Sequence, residues 1–87
     1  MAIEVRKVDD HFGIWDGFNC EFINPEYLGL SEKEIKDYLK ENSFPRDPDY
    51  SEKDLIHDLT GSQGSYIVPT KKRETAEFIA KMISDLL

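Results

Sequence analysis

Apolar and polar residues alternate along the first quarter of the chain. Ile3 and Val5 are separated by Glu4 and followed by Arg6, which is the two-residue period of a strand with one buried face. Asp9-Asp10 then marks a turn. The runs His11-Phe12-Gly13-Ile14-Trp15 and Phe18-Asn19-Cys20-Glu21-Phe22-Ile23 flank Asp16-Gly17. Asp-Gly between β-prone runs is a strong hairpin signal, because both turn positions must tolerate positive φ. With Asp16-Gly17 as a two-residue loop, Trp15 pairs with Phe18, Gly13 with Cys20 and His11 with Phe22 on one face. Phe12 and Ile14 take the other face, opposite Glu21 and Asn19. Both faces carry aromatic rings, so one is expected to meet the helices and the other to meet something else. Asn24-Pro25 ends this β-meander.

The period then changes to that of a helix, and two helices open with the same device. Ser31-Glu32-Lys33-Glu34 places a hydroxyl at the N-cap and a carboxylate three residues on, so each satisfies the other's exposed backbone N–H. Leu30 and Ile35 flank this capping box as a hydrophobic staple. Ser51-Glu52-Lys53-Asp54 repeats the arrangement, with Tyr50 and Leu55 as its staple. The first helix is expected to bury Ile35, Tyr38 and Leu39, and the second Leu55, Ile56 and Leu59, ending at Gly61. Residues 42–49 hold two prolines and predict an ordered, extended loop.

Residues 61–65, Gly-Ser-Gln-Gly-Ser, predict a second loop, and Tyr66-Ile67-Val68 a short strand stopped by Pro69. A last helix is predicted from about Lys71 to the end. Ala76, Ile79, Met82, Ile83 and Leu86 line one side of it, with Phe78 beside them. The predicted order is βββααβα. This is an α+β fold, a small antiparallel sheet (a β-meander plus one later short strand) with three helices packed mainly on one face.

Length and composition set bounds on this picture. Eighty-seven residues fit a single domain over 1–87, and a chain of this size buries roughly 60–65% of its unfolded surface. Five Phe, four Tyr and one Trp supply the large side chains such a core needs. No apolar run approaches the ~18 residues of a membrane span, and the first residues carry no apolar signal segment. Cys20 is the single cysteine, which excludes an internal disulfide and fits a reducing compartment. The cytoplasm is therefore the expected location, with no membrane contact. The net charge is −7. That argues against nucleic acid as a partner, since neutralising phosphates requires clustered Lys and Arg. All of the negative excess lies in residues 1–70, at net −8 against +1 for residues 71–87, where it can steer a basic protein partner.

Three groups of residues carry candidate chemistry. The densest acidic run is Asp47, Asp49, Glu52, Asp54 and Asp58. With Phe44 and Tyr50, the residues Asp47, Asp49, Asp54 and Asp58 form a candidate partner-binding surface, because interface centres favour aromatics and acidic rims raise on-rates toward basic partners. Thr70-Lys71-Lys72-Arg73 places three cations where a helix N-terminus already carries partial positive charge. A docked phosphate, nucleotide or carboxylate would reverse the sign of that interaction, which makes Thr70, Lys71, Lys72 and Arg73 a candidate anion site. The predicted hairpin register also sets His11 diagonally from Cys20, as a nucleophile and its base would be.

No residue is assigned a catalytic role, and no C-x-x-C, H-x-x-x-H or P-loop spacing calls for a metal or other cofactor. The expected function is that of a small acidic, non-catalytic protein-binding module. It would inhibit or regulate a basic protein in the manner of an immunity protein, antitoxin or anti-defence protein. A small-anion or nucleotide-binding domain is the alternative, and a small Cys-dependent enzyme the second alternative.

Overall fold

The computed structural model describes residues 3–24, 28–60 and 70–87. Strands β1 (Ile3–Val8), β2 (His11–Asp16) and β3 (Glu21–Phe22) are followed by helices α1 (Glu32–Glu41), α2 (Glu52–Thr60) and α3 (Arg73–Leu86). The strands form one antiparallel sheet in the order β1-β2-β3, so the class is α+β. The strand predicted at Tyr66-Ile67-Val68, the loop of residues 61–65 and the stops at Pro25, Gly61 and Pro69 lie outside the described residues. Thr70, at the end of that segment, forms an isolated antiparallel bridge to Phe12.

The first hairpin follows its hydrophobic pattern. Val8 pairs with His11 around Asp9-Asp10, and Asp9 adopts a φ of 57°, a conformation tight hairpin turns require and Asp tolerates better than most residues. The second hairpin differs from the expected one. Trp15 pairs with Phe22 and Asp16 with Glu21, so the loop is the four residues 17–20 and not Asp16-Gly17. Asp16 is the last residue of β2, and its carboxylate caps the turn. Oδ1 accepts the backbone N–H groups of Phe18 (2.9 Å) and Asn19 (3.3 Å), and Oδ2 accepts the Asn19 side-chain amide at 2.7 Å. Cys20 closes the loop with a φ of 55°.

The change in register is an even number of residues, so every strand residue keeps its expected face. Ile14 and Ile23 turn into the core, with Ile3, Val5 and Phe12 packed against it. On the opposite face Trp15 meets Phe22 edge-on at 5.0 Å, and the Arg6 guanidinium lies 4.1 Å from the Trp15 ring centre.

Both helix starts form as their sequences dictate. Ser31 Oγ accepts the Glu34 N–H at 3.2 Å while Glu34 Oε1 accepts the Ser31 N–H at 3.2 Å. Ser51 and Asp54 exchange the equivalent bonds at 3.2 and 3.0 Å. Leu30, Ile35, Tyr50 and Leu55, the two staples, are all buried. Asn42 ends α1 by donating both its backbone N–H and its side-chain amide to the Tyr38 carbonyl.

Helix α3 lies against β1 and β2, and α1 packs against α2. Ala76, Ile79, Ala80, Met82 and Ile83 of α3 join Ile14, Ile35, Leu55 and Leu59 in one buried cluster. Phe78 meets Tyr38 at 6.0 Å and Phe44 at 5.3 Å, both edge-on, and the Tyr38 hydroxyl donates to Asp85 Oδ2 at 2.9 Å. These contacts tie α1 and the following loop to α3. Among the described residues no helix is long and apolar enough to cross a membrane.

Candidate partner-binding surface

Most of the acidic-aromatic set over residues 44–58 is engaged within the molecule. Tyr50 is only 2% exposed, and its hydroxyl donates to Asp58 Oδ2 at 2.8 Å. The expectation that Tyr50 anchors a partner is therefore corrected, because the staple that starts α2 draws its ring into the core. Phe44 is half-buried, with its ring 6.5 Å from Tyr50 and 5.3 Å from Phe78. Asp54 is exposed, but its carboxylate is committed to the Ser51 cap. Hydrogen bonds from the Ser51 backbone and hydroxyl hold its carboxyl below the usual range. Asp49 is exposed, and its N–H donates to Asp47 Oδ1 at 2.9 Å.

Asp47 seats against the start of α3. Its Oδ2 accepts the Thr70 hydroxyl at 2.6 Å and the Thr75 hydroxyl at 2.8 Å, and both threonines are fully buried. Thr70 Oγ1 in turn accepts the Lys72 N–H at 3.1 Å. The proline-bearing loop thus brings a carboxylate of the chain itself to Thr70 and Thr75 at a helix start that favours negative charge. The cations are engaged as well. Lys72 Nζ donates to the Arg46 carbonyl at 2.6 Å, Lys71 lies 3.4 Å from Asp10, and Arg73 bonds Glu77 at 3.0 Å. Burial pushes the Asp47 carboxyl up. The Thr70 hydroxyl, the Asp49 N–H, the Thr75 hydroxyl and nearby Lys72 outweigh that effect and hold it below the usual carboxylate range.

Cys20 and His11 are not brought together. Cys20 sits exposed in the loop of residues 17–20, with Sγ 3.7 Å from the Gly17 carbonyl. His11 lies at the other end of β2, where Nδ1 is 2.7 Å from Asp10 Oδ1. The longer loop takes Cys20 out of the ladder and removes the diagonal contact. Among the described residues no three His, Cys, Asp or Glu side chains gather as metal ligands.

The same loop exposes what the sequence had placed in a strand. Phe18 is 82% exposed, although its backbone is fixed by the Asp16 carboxylate. Beside it opens a cleft of about 190 Å³, with Ile23, Leu28 and Leu87 as its apolar lining and Asp16 and Glu21 as its charged lining. Among the described residues no Lys or Arg lines it. Leu87 is itself 52% exposed. Burial raises the Asp16 carboxyl, but the Asn19 side chain and the Phe18 and Asn19 N–H groups more than offset this and keep it lowered. Reading the loop as a tight Asp-Gly turn concealed Phe18. An aromatic residue directly after Asp-Gly was the available signal, since a capped four-residue loop lifts that position out of the ladder. Leu28 and Leu87 carried no such signal, because only the fold brings them together.

No protein-family model matches this sequence, and no significant match is found among curated proteins or solved structures. The functional reading therefore rests on the chemistry of these surfaces.

Proposed function

We propose that this chain is a small acidic, non-catalytic protein-binding module of the cytoplasm, and that it inhibits or regulates a basic protein partner. The contact surface is centred on the β2–β3 loop, not on residues 44–58. The observation that carries this reading is Phe18, a large apolar side chain held out in solvent on a capped loop. Interfaces draw most of their energy from such anchors, and a fixed backbone limits the entropy lost on binding. The adjoining cleft suits a Lys or Arg side chain from the partner. Its apolar stem would lie along Leu28 and Leu87 while its charged head reaches Glu21. The overall charge of −7 would speed the encounter with such a partner.

The test compares affinity capture by the native chain, Phe18→Ser and Glu21→Lys, followed by calorimetry with the purified protein that is captured. A basic protein retained only by the native chain, with affinity falling steeply as salt rises, supports the proposal. Binding that survives both substitutions, or an acidic partner, refutes it.

A further inference from the structure

Among the described residues strand β1 is an edge of the sheet, and the hydrogen bonds around β2 fix which of its backbone groups face outward. The Ile14 carbonyl accepts the Ile23 N–H at 2.9 Å, and the Phe12 N–H donates to the Thr70 carbonyl at 3.0 Å. Even-numbered residues of β2 therefore direct their backbone groups away from β1. By the alternation of an antiparallel ladder, His11, Gly13 and Trp15 face β1, where their partners are Val8, Arg6 and Glu4. The N–H and C=O groups of Ile3, Val5 and Lys7 consequently point to the open edge. No described residue pairs with them. The strand has no proline, and its register with β2 is unbroken along all six residues, so two of the usual devices that blunt an edge are missing.

We propose that this edge pairs with β1 of a second copy of the chain, in antiparallel register about Val5, to give a continuous sheet across a two-fold axis. The sequence of the strand is self-complementary in that register. Val5 meets Val5 of the second copy in a hydrogen-bonded pair, and Ile3 meets Lys7. Glu4, which already bonds Arg6 of its own strand at 2.9 Å, falls opposite Arg6 of the second copy, and Arg6 opposite that copy's Glu4. Those two sites are non-hydrogen-bonded, where facing side chains come closest and unlike charges stabilise most. The molecule's negative excess is not concentrated at this edge, since β1 carries one acid and two bases. On the core side, a groove of about 460 Å³ runs between β1 and α3, with Ile3, Val5 and Ala80 in its lining. Glu4, Arg73, Glu77, Lys81 and Ser84 complete the lining, so the groove is mixed in character and offers space for side chains of the incoming strand. A two-fold pairing of this kind buries the same surface on both copies. It would also place the two Trp15–Phe22–Arg6 faces on one extended sheet.

Sedimentation equilibrium of the full chain over a wide concentration range tests the proposal, with circular dichroism confirming that each variant is folded. The native chain should show a reversible monomer–dimer equilibrium. Glu4→Arg, which puts like charges opposite each other twice per dimer, should weaken it about tenfold. Arg6→Glu should weaken it comparably. The double variant E4R/R6E should recover the native constant, and an equimolar mixture of the two single variants should form a mixed dimer. Val5→Pro removes an outward N–H and leaves the β1–β2 ladder intact, so it should abolish the dimer. A chain that stays monomeric at every concentration overturns the proposal, as does a dimer indifferent to both charge reversals. Phe18→Ser should leave the mass unchanged, which keeps this test separate from that of the partner surface.

Discussion

Asp47 and Thr70, 23 residues apart in sequence, are joined by a 2.6 Å hydrogen bond from the threonine hydroxyl to the carboxylate. The bond seats the loop after α1 on the start of α3, and the Thr75 hydroxyl donates to the same oxygen. Because both threonines are fully buried, removing the carboxylate leaves two hydroxyls without an acceptor. Asp47→Ala is expected to cost about 3 kcal/mol, since hydrogen bonds to charged groups contribute roughly 1.5–3 kcal/mol each and stranded polar groups add to the loss. For a domain of this size that lowers Tm by roughly 12–24 °C. Thermal unfolding near neutral pH checks this, and a loss under about 1 kcal/mol would show the contact to be incidental.

The same carboxylate makes stability depend on pH in a definite direction. Its folded-state pKa is lowered, so the stabilisation is fully present above the unfolded value of about 4 and disappears as pH falls through the folded value. Asp16 and Asp54 are lowered as well and act in the same sense. The native chain should therefore lose stability progressively below about pH 4. Asp47→Asn should be less stable at neutral pH and show a shallower decline on acidification. Urea unfolding at a series of pH values measures both slopes, and parallel curves would exclude Asp47 as a contributor.

Tyr38 sets the opposite limit. Burial first, and then its hydrogen bond to Asp85 and the charge of that carboxylate, push the phenol up to about 12. A folded pKa raised above the unfolded value of about 10 stabilises the chain below pH 10, and that contribution is lost as pH rises toward 12. Ultraviolet titration should show a late-ionising tyrosine that Tyr38→Phe removes. If the native chain and the variant differ by a phenol titrating near pH 10, the contact with Asp85 is absent in solution.

The parts of this fold visible in the sequence are those set by local chemistry. Ser31 with Glu34 and Ser51 with Asp54 announced two helix starts, and alternation along residues 3–6 and 11–15 set the two faces of the sheet. The position of Asp47 was not legible. Its two partners lie 23 and 28 residues away, and no local pattern announces a contact closed by the tertiary fold. The basic residues Lys71, Lys72 and Arg73 gave no hint that their partners would be Asp10, the Arg46 carbonyl and Glu77. Tyr50 shows a further limit, because a staple residue and an interface aromatic read alike until burial separates them. The second hairpin failed for a different reason. Asp-Gly fits a tight turn, but Asp also caps a longer one with its side chain, and the two outcomes share the same residue faces.

That ambiguity leads to a prediction at Cys20. The residue closes the loop of residues 17–20 with a φ of 55°, a region that costs a residue with a Cβ roughly 1–2 kcal/mol relative to its preferred conformations. Glycine has no such penalty, although it loses more chain entropy on folding, by roughly 0.5–1 kcal/mol. Cys20→Gly should therefore stabilise the chain by up to about 1 kcal/mol and raise Tm by a few degrees, whereas Cys20→Val should lower it, because a β-branched side chain resists this conformation. In the native chain the exposed thiol should be alkylated under folding conditions at nearly the rate of the unfolded chain. The two-residue Asp16-Gly17 turn would instead place Cys20 in a paired strand, where glycine destabilises and valine is favoured. The signs of the two Tm shifts thus distinguish the loops, and a lower Tm for Cys20→Gly together with a higher one for Cys20→Val would restore the shorter turn.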